Sequence, residues 1–133
     1  MRRDAREAVF RYLYSYLLTT EDDNETKTEL YKEHKLNGKD VEFADSLICV
    51  VQKNFEDITN NISQLSIGFD IDRMNYADKS ALMIAIAEID NFKDIDVAVS
   101  IDEAVRLVKL YSTEGSLAFV NGILAEYARR IGK

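Results

Sequence analysis

Between Ala81 and Ile89 the chain runs Ala-Leu-Met-Ile-Ala-Ile-Ala-Glu-Ile, eight apolar side chains around a single carboxylate. A helix apolar on nearly every side is stable only when other elements surround it. The alanines, Met83 and Glu88 favour helix over a buried strand, and Asp78-Lys79-Ser80 suits a first turn. The run is far short of the roughly 20 residues a membrane span needs. The pattern predicts a central buried helix, ending near Asn91, with the rest of the chain packed around it.

The flanking patterns are amphipathic. Over Arg2–Leu18, Ala5, Val9, Tyr12, Leu13 and Tyr16 mark one helical face. A polar loop over 19–24 leads to a weakly apolar helix, Glu25–Leu36, with Leu30, Tyr31 and Leu36 to bury; Asn37-Gly38 reads as its end, with Gly38 as the left-handed cap. Phe43–Leu65 reads as one long helix, because Ala44, Ile48, Val51, Phe55, Ile58, Ile62 and Leu65 are spaced 4, 3, 4, 3, 4, 3. That seam serves equally for a bundle within the chain or for a second copy. Ser66–Asn75, with Gly68, Phe69, Ile71 and Met74, is the joint between an N-terminal half, 1–65, and a C-terminal half, 66–133. After a charged connection over 90–97, Ser100-Ile101-Asp102-Glu103 reads as a capping box opening a helix that buries Ala104, Val105, Leu107, Val108 and Tyr111. Ser112–Gly115 breaks it. The last helix, from about Ser116 to Ile131, turns Val120, Ile123, Leu124 and Tyr127 inward, with Arg129, Arg130 and Gly132 as its C-terminal chemistry. The fold class is all-α, a compact bundle of about seven helices.

Composition agrees and narrows the function. The 133 residues include no proline, and 47% are hydrophobic, enough for one domain with a real core. A net charge of −7 argues against coating nucleic acid by charge alone, so any such contact is local or shared with a basic partner. Cys49, in an apolar run, reads as a small core residue. With His34 the sole histidine, neither a metal cluster nor a histidine-based catalytic pair assembles, and no phosphate-binding glycine loop is present. No catalytic residue, metal or cofactor is assigned, the carboxylates read as solvated faces, and the N-terminus lacks a signal-peptide core, so a cytoplasmic location is expected.

One stripe of the first helix carries candidate chemistry. Arg3, Arg6, Phe10 and Tyr14 follow one another at helical spacing, joined by Arg2 and Arg11. Cations followed by aromatics can hold a phosphate backbone and stack an unpaired base. The same pattern also fits arginines solvating a helix end while Phe10 and Tyr14 enter the core.

Three segments resemble one family. Arg3-Asp4-Ala5-Arg6-Glu7-Ala8 with Leu13-Tyr14-Ser15 is similar to the opening of the transcription antitermination factors of the NusB family. Asp78–Leu82 through Ala85–Ile89 looks like their central helix. Ile101-Asp102-Glu103-Ala104-Val105, Leu107-Val108-Lys109 and Phe119-Val120-Asn121-Gly122 are similar to their C-terminal signature. The resemblance covers nearly the whole chain and is weakest over 19–42. It implies two helical subdomains, no catalysis, and binding of boxA-type single-stranded nascent ribosomal-operon RNA together with the ribosomal small-subunit protein NusE. That assembly joins RNA polymerase with other Nus factors, so that transcription resists termination. By resemblance, Arg2, Arg3, Arg6, Arg11, Tyr14 and Phe119 occupy RNA-contact positions, Ser116 lies beside them, and Asp78 sits at a position facing the ribosomal protein. Asn121 and Gly122 read as a buried polar bridge and a close-packing point. The chain departs from the family pattern where Met83 replaces an arginine, Gly115 an acidic residue and Asp96 a proline, and where Ala118 falls at a site that can be basic. Lost cations weaken RNA binding and flatten its salt dependence. Two other readings stay open: a helical interaction or dimerisation module without RNA, and a stand-alone relative of the NusB-like domain attached to ribosomal-RNA methyltransferases.

Overall fold

The structure is a computed structural model, and it describes residues 2–66, 68 and 70–133. Among these, seven α-helices account for the architecture: α1 Arg2–Thr19, α2 Asn24–Glu33, α3 Gly38–Lys53, α4 Phe55–Leu65, α5 Tyr76–Asn91, α6 Val97–Tyr111 and α7 Glu114–Arg130, with a 3-10 turn at Ile71–Arg73. Phe69, assigned to the joint from sequence, lies outside the described residues.

Helix α5 is the axis of the bundle. Every residue from Ala81 to Ile89 is buried, Glu88 included, because α1, α3, α4, α6 and α7 all pack against it. One continuous apolar cluster draws side chains from all seven helices. Each buried side chain of Leu or Ile size contributes about 1.5–3 kcal/mol relative to exposure, so this shared core, rather than local propensity, holds the helices together. Among the described residues no helix is long and apolar enough to cross a membrane.

The structure differs from the sequence reading at four places. First, α2 is closed by Lys35, not by Gly38. Lys35 takes φ +54°, and the amides of Leu36 and Lys35 donate to the carbonyls of Tyr31 and Lys32, the paired bonds of a Schellman motif. Gly38 instead opens α3, whose N-cap Asn37 accepts from the Asp40 amide at 2.9 Å while Asp40 reaches back to the Asn37 amide. Second, the 43–65 seam is bent. At Asn54 the backbone leaves helical geometry and the side-chain amide donates to the Val50 carbonyl at 2.9 Å, ending α3 before α4 begins. The heptad pattern survives the break because both helices lean on α5. Ala44, Ile48, Val51, Ile58 and Ile62 are all buried within the chain.

Third, α6 begins at Val97. Asp96 is its N-cap, accepting from the Ala98 amide at 3.1 Å, which explains how the chain manages without proline there. Ser100 and Glu103, read from sequence as a capping box, lie inside the helix and face α1 and α5. Fourth, Cys49 is exposed on the outer face of α3, and Asn121 and Gly122 are exposed on α7. A Cβ added at Gly122 would meet no heavy atom within 4 Å, so no close packing requires glycine there. Gly132 does behave as expected: it takes φ +79° and completes a Schellman cap in which the Lys133 amide donates to the Ala128 carbonyl at 2.8 Å.

The exposure of Cys49 sets an expected outcome. The folded protein should react stoichiometrically with a thiol reagent without denaturant, and Cys49→Ser should shift the melting temperature negligibly. Protection of the thiol until unfolding would contradict the placement.

Candidate nucleic-acid interface

The N-terminal half of α1 is anchored from beneath by a buried ion network. Glu88, 1% exposed in the middle of α5, is met by Arg6, 4% exposed, in a two-pronged pair: Nε to Oε2 at 2.7 Å and Nη2 to Oε1 at 3.0 Å. Ser100 Oγ donates to the same Oε1 at 3.0 Å. Planar guanidinium–carboxylate pairing with an added hydroxyl satisfies a charge that would otherwise be prohibitive at that depth. Arg6 therefore stands apart from the other sequence-assigned RNA contacts: its guanidinium faces the core and is committed to Glu88. Phe10, from the same stripe, is a core residue at 1% exposure.

The network climbs from there to the surface. Glu103 lies 3.8 Å from Arg6 and accepts from Arg3 Nε at 3.1 Å and Arg106 Nε at 2.7 Å. Burial alone would raise the Glu103 carboxyl, but the donors Arg106 and Arg3 outweigh it and hold the group below its ordinary value. Arg106 also reaches Glu7 at 3.4 Å, and Tyr111 Oη donates to Glu7 at 2.7 Å. Burial, then the bond to Glu7, pushes the Tyr111 phenol up to about 12.

Arg2 and Arg3 are exposed above this network. Arg2 contacts Asp94 at 3.3 Å, with its guanidinium 4.8 Å from the centre of the Phe43 ring. Arg11 is half-buried farther along α1, paired with Glu33 and 3.4 Å from His34 Nε2. Tyr14 is 40% exposed and meets the Tyr76 ring edge-on at 6.1 Å between centroids, while Phe10 contacts Tyr111 at 5.0 Å. The result is one face of arginines and tyrosines along α1, bordered by α6 and the start of α5. Tyr76, Arg106 and Tyr111 belong to it but were absent from the sequence assignment, since each lies on a helix that sequence spacing cannot bring to α1.

Phe119, Ser116 and Asp78 form the far end. Asp78 and Ser116 are both buried. The Asp78 carboxylate accepts from Ser116 Oγ at 2.7 Å, Ser112 Oγ at 2.8 Å and Asn75 Nδ2 at 3.2 Å. Its own amide donates to Asn75, the N-cap of α5, at 2.8 Å. This cluster ties the start of α5 to the start of α7, so Asp78 presents no free carboxylate to a partner and Ser116 no free hydroxyl to RNA. Phe119, half-buried, lines the adjacent groove with Gly115. Met83, at the position where the family pattern has an arginine, is wholly buried.

The network predicts specific behaviour. Glu88→Ala, which strands Arg6, should cost about 3–5 kcal/mol in chemical denaturation, whereas Arg6→Met/Glu88→Leu should recover most of that loss. Equal destabilisation by both would show that charge pairing is not the relevant term. Because the folded value of Glu103 is depressed, its contribution is complete above the ordinary value of 4.5 and is lost as pH falls below it. Glu103→Gln should therefore lose less stability than the wild type when pH falls below about 4.5.

Comparison with known proteins places the chain in a family. A family model described as the NusB family matches residues 3–129. The transcription antitermination protein NusB of Carboxydothermus hydrogenoformans is 36% identical, over 98% of this chain and 94% of that protein. NusB of Finegoldia magna is 32% identical over 97% and 94%. Among solved structures, NusB of T. maritima superposes with a TM-score of 0.90 at 33% identity, covering 97% of this chain and 91% of that one. A crystal structure of the antitermination factors NusB and NusE in complex with dsRNA gives a TM-score of 0.87 at 29% identity, covering 97% and 96%. With a family model spanning nearly its whole length, the chain belongs to the NusB family.

Proposed function

We propose that the protein is a transcription antitermination factor that binds boxA-type RNA of nascent ribosomal operons together with the ribosomal protein NusE, within the polymerase complex of other Nus factors. The observation that carries this reading is the near-complete superposition on a NusB solved with NusE and RNA, combined with an α1 face of exposed arginines and tyrosines on an otherwise acidic protein. Arg2, Arg3 and Arg11 take phosphates, and Tyr14 and Phe119 meet unpaired bases. Arg6, Ser116 and Asp78 act through geometry: Arg6 fixes the pitch of α1 on α5, and Asp78 with Ser116 fixes the start of α7 against α5. The acidic balance suits a basic ribosomal protein as the second component. In this reading the protein is non-catalytic and cytoplasmic, a single helical domain of two halves, 1–65 and 66–133.

The seam over α3 and α4 is used inside the chain, which leaves the dimerisation alternative without its main support. The test is anisotropy of a labelled boxA-type RNA. The isolated protein should bind weakly at physiological salt, NusE should raise affinity at least tenfold, and Arg2→Ala/Arg3→Ala should remove most of that gain. Submicromolar binding by the protein alone would refute the dependence on the partner. No retention of RNA with NusE present would refute the function.

A further inference from the structure

A second stretch of surface combines an unneutralised cation with aromatic rings, at the turn that leads into α5. Every other arginine of the chain lies within 4 Å of a carboxylate, whether exposed or buried. Arg73, the last residue of the 3-10 turn and exposed, has no carboxylate partner among the described residues. Of the acids near it in the chain, Asp72, the residue before it, is exposed and makes no ion pair with it, Asp70 caps its own turn by accepting from the Asp72 amide at 3.0 Å, and buried Asp78 is saturated by Ser112, Ser116 and Asn75. Arg73 and Phe119 both line a groove of about 400 Å³. A neighbouring groove of about 290 Å³ lies between Tyr14, Tyr76 and Tyr111. The two grooves share Asn75 and Thr113, so they form one track from the α1 face to the start of α7.

A guanidinium without an acidic partner is a local point of attraction for an anion, even on a protein of net charge −7. Rings set at intervals along the same track are matched by a ligand that alternates anionic and planar groups, the repeat of a nucleic-acid single strand. An acidic peptide would use the cation but leave the tyrosine walls unmatched. Building on the RNA-binding reading above, we infer that Arg73 and Tyr76 extend the RNA site across the start of α5, Arg73 taking a backbone phosphate and Tyr76, braced edge-on by Tyr14, taking an unpaired base. The site thereby carries a cation beside α7, where Gly115 and Ala118 provide none.

The two residues act through different physics, and this makes the inference testable. The same labelled RNA and ribosomal-protein partner would be titrated over a range of salt concentrations with Arg73→Ala, Arg73→Lys, Tyr76→Leu, Arg3→Ala, and Arg129→Ala as a distant surface control, each first shown to melt like the wild type. Removing one phosphate contact should lower affinity several-fold at low salt and flatten the slope of log affinity against log salt by about 0.7. Arg73→Lys should restore the slope, and Arg129→Ala should change nothing. Tyr76→Leu should lower affinity about tenfold with the slope unchanged. If Arg3→Ala weakens binding while Arg73→Ala and Tyr76→Leu do not, the extension is wrong and the α1 site stands. If Arg73→Ala instead weakens capture of the ribosomal protein in the absence of RNA, the track is a protein contact and the inference falls. If the wild type with its partner retains no RNA, both readings fall together.

Discussion

A carboxylate buried at the centre of an apolar helix is the constraint to which the rest of the structure answers. Glu88 cannot remain charged there without a counter-ion at hydrogen-bonding distance, and the effective cost of an unpaired buried charge is several kcal/mol. Arg6 supplies the counter-ion, which fixes the rotation of α1 about its own axis and its height along α5. Ser100 supplies the third hydrogen bond and fixes α6. Apolar packing brings three helices together with some freedom to slide; a two-pronged pair with a hydroxyl allows one register.

Once α1 is held that way, the rest of its stripe is placed too. Arg2 and Arg3 lie a helical turn before Arg6 on the same stripe and reach the surface at the start of the helix, and Tyr14, a turn beyond buried Phe10, comes to rest against Tyr76. At the other end of the same face, Asp78 does for α5 and α7 what Glu88 does for α1 and α6, using hydroxyl and amide donors in place of a cation. Two buried acids thus position the elements that carry the exposed arginines and aromatics.

The fold was largely legible because apolar periodicity reports burial directly. The all-round apolar run at 81–89 announced the central helix, and the faces of α1, α6 and α7 followed from 3- and 4-residue spacing, except that Tyr111, read as buried, lies exposed at the end of α6. What periodicity could not deliver was the fate of polar groups. Ser100 and Glu103 have the spacing of a capping box, and only Asp96, four residues before Ser100 and free to cap first, shows that they belong to the helix interior. Arg6 shares its stripe with Arg3, yet one is buried and the other exposed, since a ridge of side chains straddles the edge of a contact. Cys49 sits among aliphatic residues but on the outward turn of α3. Each of these depends on which partner helix arrives and from where. A single acid in an apolar run was the one available warning that a buried cation had to exist elsewhere in the chain.

The surface arginines of α1 are not idle before a ligand arrives. Arg3 rests on Glu103, Arg2 on Asp94 and Arg11 on Glu33, so an incoming phosphate must exchange with a carboxylate already in place. The gain per contact is then a difference between two ion pairs rather than the full value of one. Such exchange works as a threshold: a stray polyanion that touches one guanidinium gains little, whereas a strand that engages several at once, with bases seated against the tyrosines, accumulates enough to displace them all. Selectivity for a correctly shaped strand is in this way built into the resting state, with the protein's own carboxylates acting as the competing ligands.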